Sequence, residues 1–112
     1  MPPRRLAAED ARSLNEVETF IRHNLDACLD CQTLSCLACM GRTKFKTLFR
    51  QRYGCTPAVF VKRIRMERAM ELLSDTDLPI RQISRRVGYA KPSAFTKAFS
   101  GVTGVLPSAM RS

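Results

Sequence analysis

The sequence predicts an all-α protein in which two copies of a helix-turn-helix module are joined by a long helix. Three observations predict it. The first is an internal repeat: Phe45-x3-Phe49-x4-Gly54-x2-Pro57 returns as Phe95-x3-Phe99-x4-Gly104-x2-Pro107, at a constant offset of 50 residues. Upstream, Leu34-Ser35-x2-Ala38-x-Met40-Gly41 matches Ile83-Ser84-x2-Val87-x-Tyr89-Ala90 at an offset of 49. The one-residue difference falls in a turn, where an insertion costs least. Two units are too few for a solenoid, so the repeat reads as two modules and a spacer.

The second observation is periodicity. Ile80-Ile83-Val87 and Phe95-Ala98-Phe99-Val102 place apolar residues three and four apart, which turns one face of each segment toward a core. Gly88, between them, lets the chain reverse after the first helix. The third is the placement of charge. The net charge is +9, and between Asp30 and Glu67 there are eight bases and no acid. After Asp77 six more bases follow, again with no acid, while all ten acids lie before residue 31 or within Glu67–Asp77. Each module is therefore purely basic, and an unmixed field of that kind suits a polyanion. Nucleic acid fits better than an anionic membrane, because no long basic amphipathic helix carries bulky apolar anchors.

Length and composition set further bounds. A chain of 112 residues makes one domain or two small lobes, each marginal alone. Apolar content of 45% is that of a globular protein. No run of 18 apolar residues and no signal-like segment occurs, from which a cytoplasmic location is expected.

In chain order, residues 1–12 carry two prolines and little periodicity and read as a flexible arm. Ser13 or Asn15 suits the cap of a first helix, with Glu16 and Glu18 in its first turn. Leu14, Val17, Ile21 and Leu25 give that helix its stripe, and it is expected to end near Asp26. His23 lies on its polar side and, as the only histidine, is no candidate ligand or base.

Cys28-x2-Cys31-x4-Cys36-x2-Cys39 follows. Two CxxC pairs can supply the four thiolates of a tetrahedral zinc site, but the spacer is far shorter than in common frameworks. Buried structural thiols, a metal or iron–sulfur site, and a redox switch are the three readings of Cys28, Cys31, Cys36 and Cys39. No metal or cofactor is assigned. Cys36 and Cys39 are expected within the module's first helix, and Cys55 stands apart from the cluster.

Leu34, Leu37, Ala38 and Met40 supply the packing face of that helix, and Gly41 stands where the next one needs a cap. About Thr43 to Tyr53, a helix turns Phe45, Leu48 and Phe49 inward and Thr43, Lys44, Lys46, Thr47 and Arg50 outward. Gly54 closes it, and Pro57 opens the longest helix, Ala58 to Ser74. Seventeen residues span about 25 Å. That is of the order needed to space two helices by one turn of DNA, ~34 Å.

Residues Arg65 to Phe99, RMERAMELLSDTDLPIRQISRRVGYAKPSAFTKAF, with Gly104, Pro107 and Arg111, resemble the DNA-binding domain of the AraC/XylS family of bacterial transcription regulators. Arg65-Met66, Ala69, Leu72-Leu73, Ile83-Ser84, Val87-Gly88-Tyr89 and the pair Phe95 and Phe99 carry the resemblance, which extends from about residue 13 to the C-terminus. Ser100-Gly101 and Met110 depart from the family pattern.

The resemblance implies seven helices in a domain over 13–112: lobe one over 13–56, a linker helix over 57–75 and lobe two over 76–112. It implies base-edge contacts at Thr43, Lys46 and Thr47 and at Ser93, Thr96 and Lys97. Phosphate contacts are expected from Arg42, Lys44, Arg50 and Lys91. Hydroxyls and flexible cations make few fixed bidentate pairs, so modest base discrimination is expected.

The implied function is transcription regulation at promoter DNA, as an activator working with RNA polymerase. The chain would act as a monomer on DNA or as the C-terminal part of a larger oligomeric regulator. The alternative is a regulator gated by thiol or metal chemistry at the cysteine cluster. An enzyme is not expected, since no nucleophile–base pair or phosphate loop is visible.

Overall fold

The computed structural model describes residues 7–111, in which the backbone forms seven α-helices and no strand. They are α1 (Ala8–His23), α2 (Cys31–Leu37), α3 (Arg42–Tyr53), α4 (Pro57–Asp75), α5 (Ile80–Arg86), α6 (Pro92–Thr103) and α7 (Pro107–Arg111). They fall into two units. Of the described residues, the first holds those up to Asn24 together with Leu29–Phe60, and the second holds Leu25–Cys28 and those from Val61 on.

In the first unit α1 buries Leu14, Val17 and Ile21 along the expected stripe, α2 buries Leu34, and α3 buries Phe45 and Phe49. The Phe49 ring meets Phe45, Tyr53 and Phe60 at centroid distances of 5.5, 4.4 and 5.2 Å, the last edge-on. Such pairs add about 0.5–1.5 kcal/mol each beyond the area they bury. Tyr53 donates its hydroxyl to the Leu14 carbonyl at 3.2 Å, which ties α3 to α1. Burial raises the Tyr53 phenol above its ordinary pKa, so it remains a donor.

The second unit has its own core of Met66, Ala69, Leu72, Leu73, Ile83, Val87, Phe95 and Phe99. Arg65 reaches from α4 to the Leu25 and Ala27 carbonyls, 3.2 Å each, and lies over the Tyr89 ring. Arg111, at the end of α7, donates to the carbonyls of Leu72, Leu73, Thr76 and Leu78.

The two modules share one turn. After α2, the Cys39 N–H bonds to the Cys36 carbonyl and the Met40 N–H to the Ser35 carbonyl, 3.0 Å each. After α5, the Gly88 N–H bonds to the Arg85 carbonyl and the Tyr89 N–H to the Ser84 carbonyl. Both are Schellman closures, in which the residue just past the cap adopts a left-handed conformation. Gly88 does so at φ 98° and Cys39 at φ 55°. A residue with a Cβ is strained there by about 1–2 kcal/mol.

The caps then account for the change of offset from 49 to 50. Gly41 directly follows Met40 as the cap of α3, whereas Ala90 separates Tyr89 from Lys91, the cap of α6.

Several boundaries differ from the sequence expectation. Of the expected arm, residues 1–6 lie outside the described residues, while α1 already begins at Ala8. Glu9 and Asp10 occupy its first turn, where the helix dipole favours acids. Ser13 and Asn15 are accordingly interior to α1, which ends at His23 rather than near Asp26. α2 stops at Leu37, so Cys39 lies beyond the helix in the turn.

Across Ser100 and Gly101, which depart from the family pattern, α6 runs on to Thr103 and closes at Gly104, φ 80°. A Cβ built on Gly101 would meet nothing within 4 Å, and the residue is exposed and helical. Gly101→Ala is therefore expected to stabilise the protein by about 0.5–1 kcal/mol through backbone entropy alone. The check is a rise in the thermal midpoint of several degrees, at roughly 4–8 °C per kcal/mol.

Candidate nucleic-acid interface

α3 and α6 are pinned from behind and bare in front. Phe45 and Phe49 of α3, and Phe95 and Phe99 of α6, are fully buried at 0% exposure, fixing which face each helix turns outward. On that face Thr43, Lys46, Thr47 and Arg50 form one stripe at i, i+3, i+4 and i+7. Ser93, Thr96, Lys97 and Ser100 form the corresponding stripe 50 residues on. All the predicted contact residues are solvent-exposed except Thr96, which is half-buried. Neither helix N-terminus has a side-chain cap. The N–H groups of their first turns, apart from Pro92 of α6, which has none, are left for solvent or an anion.

The hydrogen bonds refine what each group can offer. Thr47 donates its hydroxyl to the Thr43 carbonyl at 2.9 Å, so outwardly it presents acceptor lone pairs and a methyl group. Lys44 is engaged with Asp10 of α1 at 3.5 Å, an exposed pair of small energetic weight. Ser100, opposite number to Arg50, turns its hydroxyl into a buried position with no hydrogen-bond partner. The two stripes therefore end differently: in a reaching guanidinium on α3 and in an inward hydroxyl on α6.

Two bases counted in the positive field serve the fold instead. Arg65 and Arg111 are spent on backbone carbonyls, as described above. In the other direction, the sequence reading passed over Arg81, Arg85 and Arg86, all exposed on α5. The repeat could have found them. At the offset of 49, α2 presents Gln32, Cys36 and Leu37 at those positions, so only the second unit carries cations on the first helix of its module.

Among the described residues no three cysteine, histidine or carboxylate side chains converge to hold an ion. No cysteine is in a disulfide, and Cys28, Cys36 and Cys39 are exposed, contrary to the reading of buried structural thiols. Among the described residues, no helix is long and apolar enough to cross a membrane.

A family model described as a helix-turn-helix domain matches residues 34–112. The structure is similar to that of the DNA-binding domain of AdpA, a global transcriptional factor solved in complex with a target DNA. The TM-score is 0.85 and the identity 29%, over 88% of this chain and 89% of that one. The C-terminal domain of AraT, a response regulator from Geobacillus stearothermophilus, is also 29% identical, with a TM-score of 0.83 over 96% and 87% of the two chains. Among sequences, the RCS-specific HTH-type transcriptional activator RclR of Escherichia coli strain K12 is 36% identical over 80 residues, 71% of this chain and 28% of that protein. The chain spans between 22% and 37% of the length of the curated relatives it first matches.

Proposed function

The chain belongs to the AraC-type helix-turn-helix family of DNA-binding transcription regulators, and on that premise we propose that it reads double-stranded promoter DNA with α3 and α6, each in its own segment of major groove. The observation that carries this reading is the pair of matching stripes, polar and positively charged, on two helices whose opposite faces are locked by paired phenylalanines. A helix held in this way can present three or four side chains to base edges without paying to order its backbone.

Thr43, Lys46 and Thr47, and Ser93, Thr96 and Lys97, are the base-edge readers. Arg42, Lys44, Arg50 and Lys91 hold phosphates. The regulator acts as an activator alongside RNA polymerase, in the bacterial cytoplasm at the nucleoid. It works as a monomer on an asymmetric site or as the C-terminal part of a larger oligomeric protein. A thiol-gated regulator is the second reading, favoured by the closure of Cys36 and Cys39 across the turn that leads into α3.

Selection of bound duplexes from a random library at physiological salt tests the proposal. Two enriched blocks about one helical turn apart are expected. Absence of enrichment, with binding that collapses as salt rises, contradicts base reading. On the selected site, Lys46→Ala and Lys97→Ala are each expected to relax preference within one block, at about 1–3 kcal/mol of discrimination. Arg42→Ala is expected instead to weaken all sequences alike and to lower the slope of log K against log salt by about 1. A variant in the first group that weakened every sequence equally would move its residue to the phosphate-contacting set.

A further inference from the structure

Resting on the DNA-binding reading, we propose that Cys36 and Cys39 are an oxidation site of the first unit, where peroxide-class oxidants form an intrachain disulfide that disables reading by α3. Cys36 is in the last turn of α2 and Cys39 is the left-handed residue of the turn that follows. The Cys39 N–H bonds to the Cys36 carbonyl at 3.0 Å. A four-residue turn of that kind holds the two Cα atoms within about 7 Å, the span a disulfide bridges without moving the chain far. Both side chains are exposed, and Cys36 borders an open depression with Asp30, Gln32, Thr33 and Leu37 through which a small oxidant reaches it.

The chemistry balances with hydrogen peroxide as the named oxidant. One thiolate attacks a peroxide oxygen, the O–O bond breaks, water leaves after protonation, and a sulfenic acid remains. The second thiol attacks that sulfur, the S–S bond forms and a second water leaves. Two electrons pass from the two sulfurs to the peroxide, and a dithiol reverses the step.

The turn is where such a bond has leverage. Met40 and Gly41 alone separate Cys39 from α3, and Gly41 is the cap that sets its start. A bond between the two sulfurs constrains the left-handed Cys39, and any adjustment of that turn passes through Met40 and Gly41 to the entry of α3. The second unit cannot follow: its equivalents are Arg85 and Gly88. Oxidation therefore acts on one reader of two.

The test uses the full chain in a Cys28→Ser, Cys31→Ser, Cys55→Ser background, checked for helicity by circular dichroism. It is treated with hydrogen peroxide, then mapped by peptide mass spectrometry and footprinted on the site selected under reducing conditions. The block belonging to the first unit is the one whose preferences Lys46→Ala relaxes. A peptide linking Cys36 to Cys39, short by two hydrogens, is expected, with protection of that block reduced about tenfold or more and the other retained. Dithiothreitol restores it, and Cys36→Ser abolishes both effects. Sulfenic or intermolecular products without the linked peptide overturn the site. The linked peptide with an unchanged footprint overturns its consequence. If no site is selected even under reducing conditions, the DNA reading fails while the peptide map still decides whether the disulfide forms.

Discussion

Gly88→Ala is expected to destabilise the protein by about 2–5 kcal/mol, a large part of the 5–15 kcal/mol typical of a small domain. Two costs add. A Cβ at φ 98° is strained by about 1–2 kcal/mol whatever surrounds it. This one would also stand 2.3 Å from the Leu25 carbonyl oxygen and 2.8 Å from the Arg65 guanidinium, closer than atoms pack. Relieving that overlap displaces Arg65 from the Leu25 and Ala27 carbonyls and costs about 1–3 kcal/mol more. Gly104→Ala is the control, since Gly104 has a similar φ of 80° with nothing within 4 Å. Urea unfolding of both variants separates the terms: the control should lose only the strain. Equal losses in the two would mean that the contact with Leu25 and Arg65 yields freely.

Arg111→Ala is expected to cost about 3 kcal/mol or more, although it changes one partly exposed residue of a five-residue helix. The last carbonyls of any helix lack partners within it. At the end of α4, Arg111 serves Leu73 at 3.4 Å, Leu72 at 3.5 Å and Thr76 at 3.0 Å, and it also holds Leu78 in the segment leading to α5. Hydrogen bonds from a charged donor contribute about 1.5–3 kcal/mol each, and a partly buried carbonyl left unserved costs about 1–3 kcal/mol; the Leu72 carbonyl, which also accepts from the Thr76 N–H and hydroxyl, keeps those partners. The thermal midpoint should fall by roughly 10 °C or more. Arg111→Lys should recover only a fraction, because an ammonium cannot fork among several acceptors. A lysine variant as stable as the native protein would show that position, and not the guanidinium shape, is what α4 requires.

These two predictions concern residues whose importance was unevenly visible in the sequence. α3 and α6 were legible because paired phenylalanines four apart and closing glycines act locally, and the repeat doubled the signal. Their outward stripes followed directly from the same periodicity. Arg65 and Arg111 were marked by the family resemblance, but their charges were counted only as part of a basic field. Counting charges cannot tell a guanidinium facing solvent from one facing carbonyls contributed by residues about 40 positions away. The start of α1 was missed because Pro2 and Pro3 outweighed the alanines and acids that follow, and the pairing of Lys44 with Asp10 is tertiary. Cys39 hid the end of α2, since a left-handed closure is normally announced by glycine. Aligning it with Gly88 was the available clue.

The division of the chain between units has a consequence for anyone who would cut it. Leu25–Cys28 belong to the second unit although they precede most of the first, and α4 begins in one unit and ends in the other. No single cut releases a complete lobe. A fragment starting at Val61 lacks the Leu25 and Ala27 carbonyls that Arg65 binds; one stopping at Phe60 severs α4 in its first turn. During synthesis, residues 25–28 leave the ribosome before any of their partners in the second unit exist. Their place in the structure is filled only once α4 and the turn at Gly88 have followed them out.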